Sequence, residues 1–223
     1  MERKITVKGI GHITAKPDLC IIYMTIDETN RKYEQAVDDA SDKINELSNA
    51  LVRIGIEKDA LKTADFKVDV ETGFKKNFKG VGEIVKTGFT CTYRMKLAFD
   101  FSSERLSKVI DAITTCISDP RLSIAFTVKD EEAVKDELLK SAGANARRRA
   151  QILCEAAGGN LGNLVTVNYN WNEISILSPT RFTSDGLSNT GPLCCDMPTL
   201  APGSIEPDDI DLVDNAVFVW EII

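Results

Sequence analysis

Residues 130–159 read DEEAVKDELLKSAGANARRRAQILCEAAGG, and the reading of this stretch decides the fold. Asp130 is placed to cap a helix, with Glu131 and Glu132 in its first turn, where the positive end of the helix dipole favours them. Apolar positions then recur at helical spacing through Val134, Leu138, Ala142, Ala146, Ala150, Leu153 and Ala157, and Gly158-Gly159 supplies the stop. The middle of that inner face is alanine. A helix lined this way lets its backbone approach a sheet or another helix closely, because no side chain holds the two apart. Arg147, Arg148 and Arg149 sweep about 200° of the circumference, at about 100° per residue, and so cannot form one compact anion clamp.

Working outward, Leu122 to Val128 reads as a strand entering the helix, and Leu164, Val165 and Val167 as a strand leaving it after a turn at Gly162. An earlier block repeats the plan about 100 residues upstream. There, the strand Ile21 to Ile26 and an acidic cap precede a long helix whose stripe runs Tyr33, Val37, Ala40, Ile44, Leu47, Leu51 and Ile54. Gly55 stops the helix, and a strand follows from about Ala64 to Val70. The spacing predicts that this helix packs on its own sheet. The chain opens with alternation through Ile5 and Val7, and Gly9, Gly11 and Pro17 separate this from the run ending at Ile26, which predicts a β-hairpin. A second hairpin pairs Phe66, Val68 and Val70 with the run Phe89 to Phe99 across a long basic tip, Gly73 to Gly82. Ser102 or Ser103 caps a shorter helix built on Leu106, Val109, Ile110, Ile113 and Ile117 and halted by Asp119-Pro120. From Trp171 to Asp209 periodicity vanishes, leaving roughly 40 irregular residues. Ile210 to Leu212 and Val217 to Val219 then predict a closing hairpin.

These elements predict one α+β domain over residues 1–223, made of two strand-helix-strand units with a mixed, largely antiparallel sheet and long helices on one face. Such a sheet has a second face to account for, which must be polar or covered by another subunit.

Composition bounds the function. Lys plus Arg number 27 against 34 Asp plus Glu, a net charge of -7, which leaves no electrostatic footprint for nucleic acid. Phe74 and Phe78 among the lysines of the hairpin tip therefore read as a projecting loop and not as a base-stacking platform. The longest uncharged apolar run, Leu19 to Ile26, falls far short of the roughly 20 residues of a membrane span. The opening residues lack the basic and apolar regions of a signal peptide, so the expectation is a cytoplasmic chain with reduced thiols.

Catalytic constellations are sparse. His12 is the lone histidine and falls between two predicted strands, where an exposed turn residue is the plain reading and a general base the remote one. No spacing gathers it with cysteines into a zinc site. Gly9-Ile10-Gly11 and Gly158 to Gly162 lack the helix start that phosphate binding requires. The carboxylates Glu206, Asp208, Asp209, Asp211 and Asp214 lack the glycine-centred loop of an EF-hand. Cys20, Cys91, Cys116 and Cys154 read as small hydrophobes. Adjacent Cys194 and Cys195, beside Asp196, are the speculative redox pair. No catalytic residue, cofactor or metal is expected.

Several of these motifs together resemble the SIMPL-domain family. Ile-Thr-Val-Lys-Gly-Ile-Gly-His-Ile-Thr-Ala-Lys-Pro-Asp, residues 5–18, is similar to its opening signature, with Gly9, Gly11, Pro17 and Asp18 at its glycines and Pro-Asp corner. Thr87-Gly88-Phe89 resembles its central hairpin. Ala142, Ala146-Arg147, Ala150 and Leu153, with Gly158 through Gly162, resemble its alanine helix and glycine exit. Ile205-Glu206-Pro207 and Val217-Phe218-Val219 resemble its final strands, although Pro207-Asp208-Asp209 stands where the family has a glycine-containing turn. The resemblance implies a βαβ-rich fold, homo-oligomerisation, and a bacterial role in the cell envelope or in stress defence, and it brings no catalytic residues. The leading expectation is a non-enzymatic, self-associating protein. A thiol-based stress sensor using Cys194 and Cys195 and a small-ligand binder are the alternatives.

Overall fold

The computed structural model describes residues 3–76, 82–116, 120–169, 174–184 and 205–223. Their elements run β1 (Lys4–Ala15), β2 (Leu19–Asn30), α1 (Tyr33–Arg53), β3 (Leu61–Lys76), β4 (Gly82–Asp100), α2 (Ser103–Thr114), β5 (Arg121–Thr127), α3 (Glu131–Ala156), β6 (Leu161–Asn168), β7 (Arg181–Ser184) and β8 (Ile210–Ile222). The fold is α+β, but it has two sheets where a single one was expected, ordered β1-β8-β6 and β3-β4-β2-β5-β7. The chain divides into two compact units, one of Met1–Asp18, Thr127–Pro179 and Pro207–Ile223, the other of Leu19–Phe126 and Thr180–Glu206.

In the five-stranded unit, period-2 alternation aims Cys20, Ile22, Met24 and Ile26 of β2 and Met95, Leu97 and Phe99 of β4 to one side, where Leu47 and Leu51 of α1 and Leu106, Val109 and Ile113 of α2 cover them. Phe101 meets Phe126 edge to face at 5.2 Å. Ser102 caps α2 as expected, its hydroxyl accepting from the Arg105 N–H at 3.1 Å. No acidic side chain caps α1. Asn30 instead accepts from the Lys32 N–H at 3.3 Å and donates to Asp39 at 3.0 Å. Gly55, at φ +86°, turns the chain out of that helix. The β3–β4 hairpin forms, with its pairing carried into the expected tip as far as Lys76 opposite Gly82, and residues 77–81 of that tip lie outside the described residues.

The second face of this sheet is polar. Tyr23, Thr25 and Asp27 of β2 lie there with Arg94 and Lys96 of β4 and Arg121 of β5. The Thr92 hydroxyl donates to Asp27 at 2.6 Å, Arg121 pairs with the same carboxylate, and Arg94 lies 3.5 Å from Asp65.

In the other unit, β8 pairs antiparallel with β1 along its whole length and with β6 on its far side. Helix α3 lies on this sheet, capped by Asp130, whose carboxylate accepts from the Ala133 N–H at 2.8 Å. Its buried stripe is Leu138, Ala142, Ala146, Ala150 and Cys154, a strict fourfold spacing. Leu153 and Ala157, expected inside, are exposed because that spacing rotates Cys154 inward in their place.

Three further expectations are corrected. β1 and β2 are not a hairpin: β1 pairs with β8 and β2 with β4. Ile210 to Val219 is not a hairpin either, since β8 is one continuous strand held on both edges by long-range partners. The strand-helix-strand echo breaks in its second copy, where β5 joins the five-stranded sheet while α3 and β6 belong to the other unit. Alternation states which face of a strand is apolar and leaves open which strand it will pair with. Part of the irregular stretch is ordered as well: Arg181–Ser184 pairs with β5, and buried Ser178 donates to the Asp208 carbonyl at 2.7 Å.

Candidate functional site

The residues singled out by sequence converge on the seam between β1 and α3. Gly9 and Gly11, two apart on a strand, present the same face to Ala142 and Ala146, one turn apart on the helix. A Cβ on Gly9 would stand 2.3 Å from the Ala142 carbonyl oxygen and 2.6 Å from the Ala146 Cβ. The pairing of small residues on both elements sets the spacing, and neither set alone would.

A second stripe of α3 runs beside the alanines. Asn145 accepts from the Ile10 N–H at 3.1 Å, and Ser141 both accepts from the His12 N–H and donates to the His12 carbonyl at 3.3 Å. Arg149 donates to the Lys8 carbonyl at 3.4 Å. β1 is an edge strand, and these side chains occupy the backbone groups on its open side. His12 therefore sits inside β1 and not in a turn, with its side chain exposed.

The other motif residues singled out by sequence are also placed by packing. Asp18 donates its N–H to the Thr127 carbonyl at 3.0 Å and accepts from the Lys129 N–H at 2.7 Å, which pins the corner that follows buried Pro17. A Cβ on Gly88 would stand 2.8 Å from the Asn30 carbonyl oxygen. Gly158 ends α3 at φ +78°, and a Cβ on Gly162 would stand 2.9 Å from the Glu221 Cβ.

Beside this seam α3 leaves part of the sheet uncovered. The result is a groove of about 820 Å³ with Phe218, Trp220, Leu161 and Leu164 in its lining and Arg147, Gln151 and Glu155 of α3 along its wall. Phe218 and Trp220 stack at 5.4 Å with 15° between their planes. Gln151 donates to Glu155 at 3.0 Å, whereas Arg147 has no ion pair or hydrogen bond among the described residues. Sequence reading missed this groove. Arg147 was visible as part of a basic run and of the alanine-helix motif, and the aromatic pair it meets in the groove comes from β8, distant in the chain.

Asp214 is buried beside Gly11 in the β1–β8 register. It accepts from the Tyr169 hydroxyl at 2.8 Å and from the Asn215 N–H at 2.7 Å. The bond to Asp214 holds the Tyr169 phenol above its ordinary range. Burial pushes the Cys20 thiol up to about 12, and Cys91 and Cys154 are buried too. Cys194 and Cys195 lie outside the described residues. No group of three potential metal ligands occurs among the described residues.

The sequence profile of the SIMPL family, described as proteins of unknown function, matches residues 5–214. The chain belongs to the SIMPL family. The match takes in the glycine strand, the central hairpin and the alanine helix. Similar proteins include the 26 kDa periplasmic immunogenic proteins of Brucella melitensis and Brucella abortus, each 23% identical over 165 residues, or 74% of this chain. The match covers 66% of each relative's length, just short of two thirds. Both relatives are bacterial, and their names overturn the expectation of a cytoplasmic protein: these SIMPL relatives are periplasmic. The absence of signal-peptide features near Met1 was too weak a ground for that expectation. Among the described residues no helix is long and apolar enough to cross a membrane.

Proposed function

We propose that this SIMPL protein is a non-catalytic, self-associating module that works outside the cytoplasm, as its periplasmic relatives do. One observation carries the reading. The two sheets differ in the face that no helix of their own unit covers: that of the five-stranded sheet is polar, while that of the three-stranded sheet centres on Ile10, Val213, Val217 and Val219. Val213 is 60% exposed and Ile10 38%, and Asn215 opposite Ile10, Lys8 opposite Val217 and His12 opposite Val213 are interleaved with them in the register. Exposed aliphatic side chains interleaved with polar ones match a non-obligate protein interface, which as a whole is about as apolar as ordinary surface. A role in stress defence, which the family resemblance implies, would be exercised through this surface. The proposal takes both units as one module, a reading supported by the family match, which runs through both.

Native mass tests the reading. Light scattering at high micromolar concentration is expected to give a multiple of the 24.5 kDa chain, and Val213→Asp is expected to return it to the monomer without loss of folded signal. A strict monomer for the parent defeats self-association, and an unchanged mass for Val213→Asp defeats this choice of surface.

A further inference from the structure

Strand β6 is the outer strand of its sheet, and no backbone hydrogen bond reaches residues 162–168 from its open side among the described residues. The other outer strand, β1, is closed by Ser141, Asn145 and Arg149, so the same helix seals one edge and leaves the other open. Exposed edges in native proteins carry charges, proline or bulges to discourage pairing. Residues 161–168, Leu-Gly-Asn-Leu-Val-Thr-Val-Asn, carry no charge or proline, their register irregularities end at Thr166, and Leu164, Val165 and Val167 are 51%, 44% and 44% exposed. Leu164 pairs with Trp220 and Val167 with Phe218, which sets both on the face that bears the groove.

An unpaired edge beside a groove is the arrangement by which a sheet accepts an added strand: the edge supplies main-chain hydrogen bonds, and the groove takes alternate side chains. We propose that β6 and the groove beside α3 bind an extended acidic peptide from another protein as an added strand. Its apolar side chains rest on Leu164, Phe218 and Trp220, and one carboxylate meets the Arg147 guanidinium. Charge selects the acidic ligand. Arg147 is the cation in the groove wall and has no partner among the described residues, while the wall's carboxylate, Glu155, lies about two helical turns further along α3 and accepts from Gln151. The proposal does not depend on the self-association reading, which uses the opposite face of the same sheet.

The probes are two synthetic peptides of about twelve residues, alternating valine and threonine, one with two central glutamates and the other with lysines in their place. Each is titrated into the full chain, with amide chemical shifts followed by NMR. The expected result is saturable binding of the glutamate peptide, at least about tenfold tighter than the lysine peptide, with the largest shifts in residues 162–168 and the Trp220 indole. Arg147→Glu changes an exposed helix position and is expected to invert the preference. Equal affinity of the two peptides, an Arg147→Glu variant with unchanged preference, or shifts that avoid β6 would overturn the proposal. So would β6 shifts that appear on concentrating the chain alone, which would give the edge to a second copy. Binding of a neutral oligosaccharide at the groove in place of both peptides would overturn it as well.

Discussion

A side-chain methyl on Gly11 would stand 2.3 Å from the carbonyl oxygen of Leu138 and 3.0 Å from the backbone nitrogen of Ala142. Both neighbours are helix backbone, which cannot rotate away as a side chain could. Gly11→Ala must therefore push strand and helix apart, with an expected loss of about 1–3 kcal/mol from overpacking. Urea denaturation checks it, and a midpoint equal to the parent's would show that β1 does not sit on α3 at this distance.

The same seam predicts a contrast on the helix. Ala146 is fully buried against Gly9, while Arg148 is exposed. Ala146→Leu is expected to cost about 1–3 kcal/mol, and Arg148→Ala to stay within about 0.5 kcal/mol of the parent. Equal melting temperatures for the two variants would show that the inner face of α3 is misassigned.

Closure of the β1 edge predicts an exchange effect. Asn145→Ala removes the acceptor of the Ile10 N–H and is expected to cost about 1 kcal/mol. Amide hydrogen exchange at Ile10 should quicken, while that of core residues such as Met24 follows only the global change. Unaltered protection at Ile10 would mean that Asn145 does not guard the edge.

Tyr169 gives a pH dependence. Its phenol is held above the ordinary range by the bond to Asp214, so the proton is favoured in the folded state. That contribution is fully present below the unfolded tyrosine value of about 10 and is lost as pH rises through the higher folded value. Tyr169→Phe is expected to be less stable than the parent at pH 7 by about 1–3 kcal/mol, since it removes a donor from a buried carboxylate. Melting curves should show that gap closing above pH 10. A gap that stays constant would mean the bond does not form.

The thiols give a last outcome. With burial pushing its thiol up to about 12, Cys20 holds little thiolate at pH 8. A charged disulfide reagent is expected to leave Cys20 unmodified in the folded chain and to react with it in urea. Fast native reaction at Cys20 would contradict its place in the core.

Much of this molecule was legible one element at a time. The alanines of α3, the caps at Ser102 and Asp130, the stop at Gly55 and the β3–β4 hairpin follow from local spacing and from backbone chemistry that acts within a few residues. The alanine stripe even announced a close partner. Gly9 and Gly11 were visible as motif glycines, but nothing in their neighbourhood says that the partner lies about 130 residues away.

Composition and periodicity by themselves determined an α+β chain, the three helices described and most of their buried faces, while the quoted motifs carried the resemblance to the SIMPL family, because each is written in short-range pattern. Only tertiary structure decided that β1 leaves its neighbour β2 for β8, that there are two sheets, and that α3 seals one edge and opens a groove beside the other. Strand pairing is a choice among partners with similar alternation, and that choice is made by the shape of the whole packed core, which no local window contains.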